Sequence, residues 1–146
     1  NKYGFLNIEG KLIIPIDYDY IPGGFNNGKA IVNTGCITTE DGWGFSSVKG
    51  GTYKIIDVTG AVLKTMATEY DEIYGLHDGM AIVKKDNLYG FINDNGEEVV
   101  TPKWTEKPEP FNNGLARFYM PGTYSFSAVK PFGYIDKTGK IIIDAA

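Results

Sequence analysis

The sequence holds one cysteine and one histidine, and these two scarcities remove most familiar site chemistry. Cys36 alone allows no intramolecular disulfide, thiolate metal cluster or CxxC redox pair. His77 alone allows neither a histidine-based nucleophile triad nor an HExxH zinc site. No stretch approaches the ~18 continuous apolar residues of a membrane span, and no charged, apolar, small-residue leader opens the chain. Positive charge is also short: 14 Lys and Arg against 18 Asp and Glu leave a net charge of -4. A protein that binds by neutralising phosphates is usually basic, so no nucleic-acid partner is expected. Long helix-compatible stretches are missing as well. Only Ala61–Tyr74 exceeds about 12 residues without Gly or Pro, the length below which helices are marginal. The chain starts at Asn1 without Met and reads as a segment of a longer protein.

Glycine and aromatic residues are abundant instead. The 19 glycines in 146 residues are nearly twice the usual share of ~7%. Aromatics are 14%, too many for a chain that stays solvated. The composition predicts an all-β, turn-rich fold.

An internal repeat organises these residues. Tyr3-Gly4-Phe5, Tyr89-Gly90-Phe91 and Phe132-Gly133-Tyr134 each open a segment with a glycine seven residues on, at Gly10, Gly96 and Gly139. Tyr53–Gly60 has the same spacing, and Trp43-Gly44-Phe45 the same aromatic frame. A β-branched run follows each turn. About 20 residues later a second signature recurs: Phe25-Asn26-Asn27-Gly28-Lys29-Ala30, Leu76-His77-Asp78-Gly79-Met80-Ala81 and Phe111-Asn112-Asn113-Gly114-Leu115-Ala116. Gly10, Gly28, Gly60, Gly79, Gly96, Gly114 and Gly139 fit hairpin turns that need positive φ. The glycines of the aromatic-Gly-aromatic motifs instead suit a strand over which a ring or backbone passes closely.

Each unit reads as two strands, an aromatic-acidic loop and a third strand, a β-meander. The units fall at about 2–34, 43–84 (opened by Trp43, with an inserted hairpin at about 46–54), 88–119 and a partial 131–144. One repeat domain therefore spans 1–146. Meanders of this size bury their apolar faces by stacking. The expected architecture is an open, twisted array of tandem antiparallel units, the alternative being a closed propeller-like or pseudo-symmetric barrel.

The chemistry-bearing residues read mostly as structure. His77 sits where sister units carry Asn26 and Asn112, a turn position. Cys36 reads as a small, semi-buried residue. Asn93–Glu98 has a calcium-loop beginning, but its twelfth position is Trp104, not glutamate, so it reads as a hairpin turn. Gly23-Gly24 and Gly50-Gly51 lack any phosphate-binding frame and read as turns. Acids such as Asp17, Asp19, Asp71 and Glu72 recur in equivalent loops, and a catalytic pair has no cause to recur that way. No catalytic residue, metal site or cofactor is expected. The remaining lead is a set of aromatics: Tyr18, Tyr20, Trp43, Tyr70, Tyr74, Trp104 and Tyr124. They seal the core between units, anchor a protein partner, or hold sugar rings.

These repeated motifs resemble the bacterial WG (KWG) β-repeat family, over roughly Lys2 to Ile143, with Tyr or Phe replacing Trp before most glycines. The resemblance implies a bacterial protein, exported or surface-located rather than cytoplasmic, with no catalytic residues to carry over. The resulting expectation is a non-catalytic binding or scaffold module that presents an extended surface to a protein partner. The alternative is a carbohydrate- or cell-wall-binding module using exposed aromatics.

Overall fold

The computed structural model describes residues 1–66, 69–122 and 129–144. All regular elements among them are strands, in four antiparallel sheets. The first pairs β1 (Tyr3–Leu6) with β2 (Leu12–Tyr18). The second is β3 (Lys29–Glu40), β4 (Ser46–Asp57) and β5 (Val62–Thr65). The third is β6 (Glu72–Ile73), β7 (Met80–Lys85), β8 (Leu88–Asn93) and β9 (Glu98–Trp104). The fourth is β10 (Leu115–Tyr119), β11 (Phe132–Asp136) and β12 (Ile141–Ile143). β1 pairs only with β2 and β12 only with β11, so the ends do not close on each other and the array is open.

The sheets are out of phase with the sequence repeat. The third strand of one unit pairs with the first strand of the next: Ala30↔Ile56, Ala81↔Ile92 and Ala116↔Ile135 are the same pairing. Each meander is thus shared between two units, where the sequence suggested one per unit. The two-residue turn Asp86-Asn87, with φ of 51° and 62°, shows why: a tight mirror-image turn fuses β7 to β8. The second strand of a unit instead leads into the aromatic-acidic loop, which crosses to the neighbouring sheet.

Period-2 alternation then gives every inner strand two buried faces. Ala30, Val32 and Ile56 face the first sheet and cluster with Ile14. Ile31 and Ile55 face the third sheet, meeting Ile73, Ala81, Val83 and Ile92. Ile82 and Phe91 meet Ala116, Phe118 and Ile135 of the fourth. Three cores in series hold the array, and a buried isoleucine such as Ile56 contributes roughly 1.5–3 kcal/mol.

The strand glycines answer to the adjoining strand. Opposite Gly4 and Gly90 the partner strand bulges, with Pro15 and Pro102 in the extra residues. A Cβ on Gly4 would lie 2.6 Å from the Ile14 carbonyl oxygen, and one on Gly90 would overlap that of Val100. β4 carries Lys54 at this position, and there β5 runs without a bulge until Ile55. The close neighbour is therefore mainly backbone of the same sheet rather than a ring from another unit.

The turn glycines Gly10, Gly28, Gly60, Gly79, Gly96, Gly114 and Gly139 all have φ of 73–84°. In four matching turns Asn7, Asp57, Asn93 and Asp136 accept, on Oδ1, the backbone N–H groups two and four residues on, at 2.8–3.1 Å. Hydrogen bonds from Thr59 hold the Asp57 carboxyl below its ordinary range, and those from Thr138 do the same for Asp136. A lowered folded-state pKa contributes stability that is complete above the unfolded value and is lost as pH falls through the folded one. Asn7 and Asn93 show that an amide serves the same turn. A variant carrying Asp57→Asn and Asp136→Asn should therefore lose less of its urea midpoint than the parent between about pH 5 and pH 2. Equal losses in the two proteins would rule this out.

Candidate functional site: an extended hairpin and the cleft at its root

The array has one pronounced departure from its own repeat among the described residues. Where β7 and β8 turn after Lys85↔Leu88, β3 and β4 continue pairing to Glu40↔Ser46. The arm beyond Thr34↔Thr52 carries the β-branched run Ile37-Thr38-Thr39 on β3, and Thr39 Oγ1 meets Ser47 Oγ across it at 2.7 Å. At its tip Asp41 Oδ1 accepts the N–H groups of Trp43 and Phe45 at 3.0 and 2.9 Å, while Gly44 has φ 82°.

This geometry corrects three readings. Trp43-Gly44-Phe45 does not open a strand: Gly44 is a turn glycine in the place of Gly10 and Gly60, and Tyr53 pairs as Tyr89 and Phe132 do. The insertion is the outer part of one hairpin, not a separate hairpin at 46–54, because residues 46–54 run as a single strand along β3. Likewise Gly50-Gly51 is no turn. Both lie within β4 at φ of 71° and 75°, near Gly35 at 82°, and the register is the same on either side, at Thr34↔Thr52 and Cys36↔Gly50.

The tip is apolar and open. Trp43 is 89% exposed, Phe45 74% and Ile37 67%. Such exposure on one arm, in a chain whose inner strands bury nearly all their isoleucines, is what an interaction anchor requires.

At the root of the arm, facing β6 and the β7–β8 turn, is a cleft of about 530 Å³ lined by Lys49, Tyr53, Tyr70, Asp71, Glu72 and Lys84 among others. Asp71 Oδ2 accepts the Asp86 N–H at 2.8 Å, as Asp19 accepts that of Gly35 at 2.7 Å in the preceding unit. These recurring acids hold the crossing loop to the next hairpin. Tyr70 donates to Glu98 at 2.6 Å and Tyr74 to Glu72 at 3.0 Å. Burial and then the adjoining carboxylates push both hydroxyls well above the usual tyrosine range. Behind the cleft, Asn33 is fully buried and Tyr53 is 5% exposed. Asn33 Nδ2 donates to the Gly50 carbonyl at 3.2 Å and Asn33 Oδ1 has no hydrogen-bond partner, while the Tyr53 hydroxyl lies against the Asn33 side chain and the Ile73 backbone. Neither residue was singled out from the sequence. The signal available was Asn33 on a strand whose counterparts are Lys84 and Tyr119.

The other aromatics scatter. Trp104 is 7% exposed and stacks on Phe118 with centroids 5.3 Å apart, so it is core and not surface. Tyr18 is half-buried against the core between the first two sheets. Tyr20, also half-buried, bridges to Asn33. Tyr74 lies under Lys107, whose Nζ is 3.7 Å from the ring centre. Tyr124 lies outside the described residues. His77 closes a turn with Met80, as Asn26 does with Lys29 and Asn112 with Leu115. Partial burial, then Asp19, pushes the Cys36 thiol up, the opposite of what a reactive thiolate needs.

Stacked, phase-shifted meanders joined by recurring glycine turns define a β-repeat protein. The family described as "WG containing repeat" matches residues 3–35, 67–89, 89–124 and 132–146, more than half of the chain, and the chain belongs to it. The matched segments leave out 36–66, which holds the projecting arm and β5. Neither curated proteins nor solved structures provide a match.

Proposed function

We propose that this WG-repeat module is a non-catalytic binding protein that engages a protein partner through the tip of its β3–β4 arm. The observation carrying this reading is the exposure of Trp43, Phe45 and Ile37 on an element outside the repeat matches. In a repeat scaffold the regular positions serve mutual packing, so a partner-specific feature resides where the pattern is broken. Tryptophan and phenylalanine on a projecting two-stranded arm offer large contact area, and truncating such an anchor costs 2 kcal/mol or more, about thirtyfold in affinity.

A photo-crosslinking residue placed at position 45 should trap a discrete protein partner in cells that make this chain. The purified partner should then bind the Trp43→Ala, Phe45→Ala double variant at least about thirtyfold more weakly than the parent. Binding unaffected by the double variant would refute the reading. So would crosslinks to polysaccharide instead of protein.

A further inference from the structure

We propose that the cleft at the root of the arm is a second site, for a neutral saccharide. Its existence depends on the arm. The sister hairpin β7–β8 stops at Asp86-Asn87 and has no equivalent of residues 46–51 to form a wall. The volume of about 530 Å³ is within the ~300–1,000 Å³ of small-molecule sites.

The lining selects the ligand class. Two carboxylates, Asp71 and Glu72, and two ammonium groups, Lys49 and Lys84, line the cleft. Their formal charges cancel, so a ligand with net charge gains little from the site as a whole. Tyr70, only partly buried, supplies apolar ring surface for the C–H face of a sugar. Asp71 Oδ2 and Glu72 Oε2 are used within the fold, leaving one oxygen of each for ligand hydroxyls, with the lysines as donors.

The inner wall adds the less expected feature. Asn33 Oδ1 is buried without a partner, and buried polar atoms are normally paired. Next to Asn33 Oδ1 stands Gly51, where any Cβ would overlap that oxygen; at Gly50 a Cβ would meet nothing within 4 Å. Both glycines line the cleft. The wall between the cleft and Asn33 Oδ1 is thus glycine backbone, the thinnest a chain can build.

The test is an amide NMR titration of the full chain with soluble cello-, chito-, xylo- and malto-oligosaccharides to about 10 mM, the weak end of specific binding. Inorganic phosphate, acetate and free glycine serve as charged and zwitterionic probes. At least one sugar should give saturable shifts confined to 47–53, 70–72 and 84–87. Glu72→Gln and Lys49→Ala, both of which keep the core, should each weaken that sugar about tenfold. The Trp43→Ala, Phe45→Ala variant should bind it unchanged, which separates this site from the arm tip. No shift with any sugar overturns the proposal, as do shifts with the charged probes alone, or sugar shifts centred on 41–45.

Discussion

Replacing Gly90 by alanine should cost the protein about 3 kcal/mol, a large part of the 5–15 kcal/mol that holds an ordinary domain. The added methyl would overlap the Val100 carbonyl oxygen and come within 2.7 Å of the Pro102 nitrogen. Both are backbone atoms, so no side-chain rotation relieves the contact. The bulge would have to move, and with it Val100 and Trp104, which pack the core between the third and fourth sheets. Gly24→Ala is the control: it meets nothing within 4 Å and its φ is not in the left-handed region, so it should fall within about 0.5 kcal/mol of the parent. Lys54→Gly tests the converse. If the glycine is required only where the partner strand bulges, β4 gains nothing from it and pays roughly 1 kcal/mol in chain entropy. Urea unfolding of the three variants distinguishes these outcomes. A Gly90→Ala loss below about 1 kcal/mol would show that the bulge yields easily and that the glycine's role has been misassigned.

That pairing of glycine with a bulge also shows how far the sequence could be read. The repeat, its strands and its turn glycines follow from spacing, because a Gly after Asn or Thr between β-branched runs has few conformations to choose from. Pro15 and Pro102 were a further signal, since proline within a strand marks an edge or a bulge, and both lie opposite a strand glycine, whereas β4 has Lys54 there and pairs with β5 at that point without a bulge. The phase of the sheets was not legible. Pairing the third strand with the next unit's first depends on a two-residue turn, and Asp86-Asn87 contains no glycine to advertise it.

The arm misled for a related reason. Trp43-Gly44-Phe45 matches the strand motif in composition, yet Asp41 two residues before Trp43 is what makes it a turn. The candidate site was legible only in fragments: Trp43 and Tyr70 were named, whereas Asn33, Tyr53 and Gly51 acquire meaning only when a twelve-residue strand brings them together. Local spacing reports turns and faces. It does not report which buried polar residues, such as Asn33 and Tyr53, a long-range register places opposite each other.

The two tryptophans should therefore respond in opposite ways. Trp104→Ala removes a ring stacked on Phe118 and edge-on to Phe91, with centroids at 5.3 and 6.1 Å. Truncating a buried aromatic costs about 3–5 kcal/mol, and here the loss falls on the junction between the last two sheets. Because the three cores lie in series, the fourth sheet should detach before the rest unfolds. Amide exchange in β10 and β11 should accelerate well ahead of exchange in β3 and β4. Trp43→Ala removes a ring that is 89% exposed, and should shift the unfolding midpoint by no more than about 0.5 kcal/mol while weakening partner binding. Uniform acceleration of exchange in the Trp104→Ala protein would mean that the sheets fold as one cooperative block. A comparable stability loss from Trp43→Ala would mean that the arm tip is folded against the body instead of presented to a partner.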